Sequence, residues 1–164
     1  MVLATHAVAG VAIAQLFPHQ PALGFGLAVV GHFVLDTIPH WDYHLSSLEQ
    51  PADGNKLNQH FRLSPVFLAD VLKTGLDAAL GCLIAFIVFY PQDSRSAWLL
   101  LLGVFGGVLP DFLQFVFYKY HPRWLRPLQR FHIWIHARSN FNNRPILGVL
   151  MQIVLVIVIV IVLK

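Results

Sequence analysis

Five apolar stretches dominate this chain. They run roughly Leu3–Phe17, Ala22–Ile38, Pro65–Phe89, Ala97–Tyr118 and Pro145–Leu163. The last three are long enough to cross about 30 Å of hydrocarbon as helices. The first two are shorter, and Pro18-His19-Gln20-Pro21 between them reads as a tight turn closing a helical hairpin. Val154–Val162 is almost all β-branched, which favours a strand by propensity. Helix is expected there all the same, because an open strand in lipid leaves its backbone groups without partners. Charged residues make up 12% of the 164 residues, half the roughly 25% of an ordinary soluble domain. Mean hydropathy is +0.65. So few charges cannot cover a water-facing surface, which argues against a soluble enzyme, a disordered chain or a collagen-like fibre. The expected fold is all-α: one integral-membrane domain spanning residues 1–164, a polytopic bundle of about five transmembrane helices.

Two stretches, Pro39–Ser64 and Lys119–Arg144, are polar enough to be loops, and Pro91–Ser96 is a short link. If every apolar segment spans, both loops lie on the side of the N-terminus. That side carries Lys56, Arg62, Lys119, Arg123, Arg126, Arg130, Arg138 and Arg144, against Arg95 and Lys164 on the other. The excess of basic residues makes the first side cytoplasmic, with the N-terminus in and the C-terminus out. Met1–His6 has no basic run ahead of its apolar stretch, so the first segment is expected to be retained rather than cleaved as a signal peptide. The single Cys82 rules out an internal disulfide framework.

The same side gathers the chemistry. Of nine histidines, only His19 falls on the far side, and six of the eight acidic residues fall on the near one. The densest run is His32 to His44. His32 and Asp36 are four apart and share a helix face. Pro39 is expected to end that helix, after which His40, Asp42 and His44 alternate along an extended exit. Neutral imidazole and carboxylate together suit zinc, manganese or iron. The alternative is an interfacial loop of snorkelling polar groups with a Trp/Tyr belt. Gly31–Asp36 and Gly106–Asp111 both read Gly-x4-Asp, a weak internal repeat that would bring one carboxylate each to the same membrane face. Asp111, after Pro110 near the end of its segment, needs a metal, a cation or a proton. His132 and His136 form an H-x3-H pair with both rings on one helix side, a spacing used in zinc sites. His6 would sit at the same depth, as a ligand or as a packing histidine.

Other polar residues divide less clearly. Asp70, Lys73 and Asp77 follow i, i+3, i+7 spacing and are expected to neutralise one another on one helix face, the alternative being that Asp70 joins the site. His60 is a possible substrate contact. Lys119–Arg144 interleaves six basic residues with Trp124, Phe131, Trp134 and Phe141. Such a mixture can bind nucleic acid, but beside a cytoplasmic leaflet anionic lipid head groups are the expected partner. Arg130 and Arg138 could hold a phosphate there.

Taken together, Thr5-His6, the Gly31–Asp36 segment followed by Pro39-His40-Trp41-Asp42, then Leu109-Pro110-Asp111, then His132 and His136 resemble the membrane-bound metal-dependent hydrolases of bacteria and archaea. Those are small polytopic inner-membrane proteins with an early histidine, a Gly-x3-Pro-Asp-x-Asp-type segment end and a later histidine pair. This chain has His40 after Pro39 where the family usually has Asp, and Leu113 where it has a second Asp. Its H-x3-H pair lacks the family's His-Arg-Gly and Thr-His-Ser wording. The resemblance implies a divalent-metal hydrolase acting on a lipid-like or phosphoester substrate.

The leading expectation is therefore an integral-membrane hydrolase. His6, His32, Asp36, His40, Asp42, Asp111, His132 and His136 would hold one or two divalent ions, zinc first. Asp36, Asp42 and Asp111 would be the catalytic carboxylates. A bound ion lowers the pKa of its water toward about 7 and polarises a phosphoryl or acyl oxygen. Two other classes compete. Transport of a metal ion or proton would also use intramembrane His and Asp, but polar groups should then continue through the membrane, and here only Asp77 lies deeper. A non-catalytic scaffold would close a structural metal with four ligands.

Overall fold

The computed structural model describes residues 1–137 and 141–163. Among these, six α-helices carry the architecture: α1 (Leu3–Gln15), α2 (Pro21–Asp36), α3 (Pro65–Val88), α4 (Ser94–Tyr120), α5 (Arg126–Ile135) and α6 (Pro145–Leu163). The all-α expectation holds. Among the described residues the only strands are β1 (Leu48–Glu49) and β2 (His60–Phe61), paired antiparallel inside the first loop. Three helices, α3, α4 and α6, are long and apolar enough to cross a membrane. The β-branched run is helical, within α6. At 13 and 16 residues, α1 and α2 are about 20 and 24 Å long, short of the ~30 Å hydrocarbon core.

α1 is the centre of the bundle. Its Ala-rich sequence is buried from Thr5 to Ala12, and it packs against α2, α3, α4 and α6. Small residues let those neighbours approach backbone to backbone. A Cβ on Gly10 would run into the Gly103 carbonyl of α4, and one on Gly107 into the His6 carbonyl of α1. The Gly103-x3-Gly107 stripe thus fixes α1 against α4 at the level of His6. By contrast α3, α4 and α6 turn large exposed side chains outward, among them Leu68, Leu72, Leu101 and Ile161. This is an apolar exterior, as a lipid environment requires.

Helix ends follow their local sequence. Asp93 and Ser96 form a capping box at the start of α4: Ser96 N–H donates to Asp93 Oδ1 (2.7 Å) and Asp93 N–H to Ser96 Oγ (3.1 Å). α2 stops at Asp36, three residues before Pro39. α4 departs from expectation. It continues through Pro110 to Tyr120, so Asp111 lies about two and a half turns inside the helix rather than near its end. Tight packing of Gly106 against Phe25 and Ala28 of α2 holds the helix together where proline removes a hydrogen bond.

The first loop is not loose. Leu48 and Phe61 of the β1–β2 pair pack with Phe117, Tyr118 and Leu125, tying it to the end of α4. The second loop carries α5, amphipathic, with Gln129 and His132 buried and Trp134 exposed.

Candidate metal centre

Asp36, at the C-terminal end of α2, is 1% exposed and has four nitrogens around it. His132 Nε2 lies 2.9 Å from Oδ2 and His32 Nε2 3.2 Å from the same oxygen. His6 Nε2 is 3.2 Å from Oδ1, and the Met1 amine 3.4 Å. Three segments of chain, the N-terminus with α1, α2 and α5, therefore meet at one carboxylate. His32, Asp36, Asp111 and His132 place one ligand atom each within 4.8 Å of one another, and so do Asp36, His40 and His136. Asp36 belongs to both groups. His6 stacks on His32 with ring centroids 3.8 Å apart. Asp42 sits at the mouth, 3.2 Å from His40 Nε2 and 3.6 Å from His136 Nε2.

The rings are held in defined tautomers. A carbonyl only accepts, so His32 Nδ1–H donates to Gly107 O (2.7 Å) and His40 Nδ1–H to Ile38 O (2.6 Å). In its neutral form each ring would turn an Nε2 lone pair toward the carboxylates. Backbone support of this kind is what orients histidines around metal ions. A bare lone pair facing a carboxylate is repulsive, and a cation between them relieves it. Both nitrogens of His6 and Nε2 of His32 are buried without a hydrogen-bond partner, although carboxylate oxygens stand 3.2 Å away. Such unmatched polar atoms are rare in buried sites. The Met1 ammonium makes the same point from the other group. It lies 2.7 Å from Asp42 Oδ1 and 2.8 Å from His40 Nε2. Burial works against its charge, but Asp36, Asp42 and Asp111 outweigh that and raise its pKa. The residues present thus fit a divalent cation, and the site could hold one.

Two more groups of the cluster, both outside the apolar helices, titrate away from their ordinary values. Burial raises the pKa of Asp42, but the His40 hydrogen bond and the Met1 ammonium win and hold it ionised. Burial lowers the pKa of His136, keeping its ring neutral and able to donate a lone pair.

The sequence-derived residues separate plainly. His6, His32, Asp36, His40, Asp42, Asp111, His132 and His136 converge. The H-x3-H pair divides between the two groups, because α5 ends at Ile135 and His136 is its cap. The Gly-x4-Asp repeats do bring Asp36 and Asp111 to one point. Asp70 does not join them: it accepts from Ser47 N and Oγ at 2.8 and 2.7 Å and from Lys73 Nζ at 3.0 Å. Asp77 is not part of that pair either. It accepts from Leu3 N (2.6 Å) and Ala4 N (3.4 Å) and so caps α1, because its helix packs beside the start of α1. His60 is exposed and pairs with Glu49 at 3.1 Å on the β1–β2 hairpin. Arg130 is exposed on α5, and Arg138 lies outside the described residues.

Two supporting residues escaped the sequence reading. Gln152 is buried in α6; its Oε1 accepts from Val2 N (3.0 Å) and Thr5 Oγ1 (3.3 Å), and its Nε2 donates to Trp41 O (2.9 Å). It fastens the start of α1 and the first loop, two segments that carry candidate ligands. A lone amide in a 19-residue helix that is otherwise apolar was the available signal. Gly107 is the second, through its carbonyl to His32 and its missing side chain against α1. Asp42, Asp111 and His136 also form one edge of an apolar cavity of about 490 Å³ between α3 and α4. Set against family models, curated proteins and solved structures, the chain matches none.

Proposed function

We propose that this chain is a metal-dependent hydrolase of a bacterial or archaeal inner membrane, a divergent member of the family it resembles. The observation that carries the reading is Asp36. One buried carboxylate is shared by two His/Asp groups, with histidine lone pairs left unmatched around it. Zinc suits this His-rich set best, with manganese or iron as the other borderline choices. In this reading His32, Asp36, Asp111 and His132 would hold one ion, with His6 beside them, and Asp36, His40 and His136 a second. A bound divalent ion supplies Lewis acidity and a water acidified toward neutrality.

The chain's own groups divide the remaining work. Asp36 fixes the imidazoles of His6, His32 and His132. Asp42, held ionised and partly open to the outside, accepts a proton from an attacking water as general base. Asp111, also at the cavity edge, orients the substrate's reacting group. Burial of His6, His32 and His132 keeps bulk water from the ligand side of the site.

The membrane arrangement follows the charges. α1 and α2 form a hairpin that returns the chain to the side on which it began, whether or not either helix crosses fully. α3, α4 and α6 then cross in turn, which again gives a cytoplasmic N-terminus and an outside C-terminus. Arg123, Arg126 and Arg130 beside exposed Trp124 and Trp134 seat α5 on an anionic leaflet. The role of Asp77 as a cap of α1 accounts for the one deep carboxylate that a transport reading needed.

Elemental analysis of purified protein tests the proposal. Stoichiometric zinc, manganese or iron, lost in Asp36→Ala, is expected, together with metal-dependent hydrolysis in a screen of lipid phosphoesters and acyl esters. Protein that contains no metal and binds none on titration would refute it.

A further inference from the structure

We infer that the cavity between α3 and α4 binds one hydrocarbon tail of a membrane amphiphile and sets the bond beside its head group at Asp42, Asp111 and His136. The cleavage half of this rests on the hydrolase reading; the tail site does not. At about 490 Å³ the cavity falls within the ~300–1,000 Å³ of ordinary ligand sites, in the lower half, which suits a single chain. Its wall is mostly apolar: Val71 and Ala78 come from α3, Val108, Phe112 and Phe115 from α4, and Phe61 closes it from the first loop. The carboxylate and imidazole side chains that line it, Asp42, Asp111 and His136, lie together where the cavity meets the Asp36 cluster. No lysine or arginine side chain among the described residues lines it. Recognition therefore falls on the apolar part of the ligand, and the head meets only the groups of the site.

The entrance is lateral. Val71 and Phe112 are 41% and 54% exposed on the apolar exterior of the bundle while also lining the cavity. A tail can pass from the surrounding lipid without crossing water, so its apolar surface stays covered throughout. Gly75 marks the gap. A Cβ there would meet no atom within 4 Å, whereas a Cβ on Gly81 of the same helix would collide with Ala4. α3 is thus seated on α1 at Gly81 and leaves open space at Gly75. A bulky side chain at position 75 fits the fold and fills the space a tail would occupy.

The probe is a lysophosphatidylcholine with a photoactivatable diazirine midway along its acyl chain. It is added to the full chain in phosphatidylcholine nanodiscs, and the adducts are mapped by mass spectrometry. Adducts are expected on Ala78, Val108 and Phe115. Excess unlabelled lysophosphatidylcholine should compete and glycerophosphocholine should not. Gly75→Trp should cut these adducts at least fivefold and Gly75→Leu by less, with unfolding curves like the parent's, while Leu150→Trp on the outer face of α6 leaves them unchanged. Adducts spread over Leu68, Leu72 and α6 alike, unaffected at position 75, would overturn the proposal, as would competition by the head group alone. Metal content read on the same samples separates the two readings. Labelling that depends on Gly75 in protein unable to hold metal keeps the tail site and removes the hydrolase. Metal-loaded protein with no dependence on Gly75 does the reverse.

Discussion

α4 meets two neighbours in opposite ways. Against α1 it is pressed backbone to backbone, with Gly10, Gly103 and Gly107 at the contact and no room for a single Cβ. Against α3 it stands apart, and the gap is a cavity of about 490 Å³ bordered by Gly75. The same residue type does contrary work on the two sides. At Gly107 the missing side chain draws helices together and puts His6 on His32; at Gly75 it leaves space. The close side assembles the His/Asp cluster, and the open side leaves a cavity beside it. On the proposed reading the first keeps the ligands dry and the second lets an amphiphile reach them.

This contrast can be broken or sharpened by substitution. The largest effect belongs to Gly107→Leu, which forces a side chain into the His6 carbonyl. Stability in detergent should fall by about 3 kcal/mol, read as an earlier thermal unfolding midpoint, and a midpoint like the parent's would mean that α1 and α4 are not in backbone contact. Next is Asp36→Ala. Losing a carboxylate shared by both groups should weaken zinc binding by about 100-fold or more in calorimetric titration, the upper end of what a supporting partner alone contributes. Unchanged affinity would take Asp36 out of the site. Gln152→Leu strips partners from Val2 N–H and Trp41 C=O and should cost about 2 kcal/mol, measured by chemical unfolding in detergent. Asp77→Ala uncaps α1 and should cost about 1 kcal/mol in the same unfolding assay while metal stoichiometry is retained; loss of metal there would mean that α1's entry positions the ligands more tightly than its packing does. The smallest effect has the opposite sign. Gly75→Ala should stabilise by about 0.5 kcal/mol, since the helix gains an alanine and nothing is displaced. A clear loss at this position would show that the open side is in fact packed.

Much of this was legible in the residues. The apolar runs located all five long segments to within a few residues, since burial of backbone hydrogen bonds in an apolar medium leaves helix as the available form. The clustering of His and Asp at one end of those runs pointed to His6, His32, Asp36, His40, Asp42, Asp111, His132 and His136, which the fold gathers. Local spacing was a poorer guide. Asp70, Lys73 and Asp77 suggested one neutralised face, yet Asp77 faces the start of α1 and Asp70 faces Ser47. His60, expected to contact substrate or to do nothing, pairs with Glu49 in the open. The number of spans also needed the helix lengths, because apolarity alone does not distinguish a buried central helix such as α1 from one that faces lipid.

Hydropathy, helix-breaking prolines and the side on which charge accumulates are properties of consecutive residues, and so the helical class, the segment limits and the polarised chemistry could be read in order along the chain. What joins position 6 to 36, 132 and 111, and what keeps α3 away from α4, depends on contacts between residues as much as 150 apart. Those contacts are decided by which small residues let two backbones touch. That choice is made only when the helices pack, because a glycine in a run of letters does not reveal whether a neighbour or empty space will lie above it.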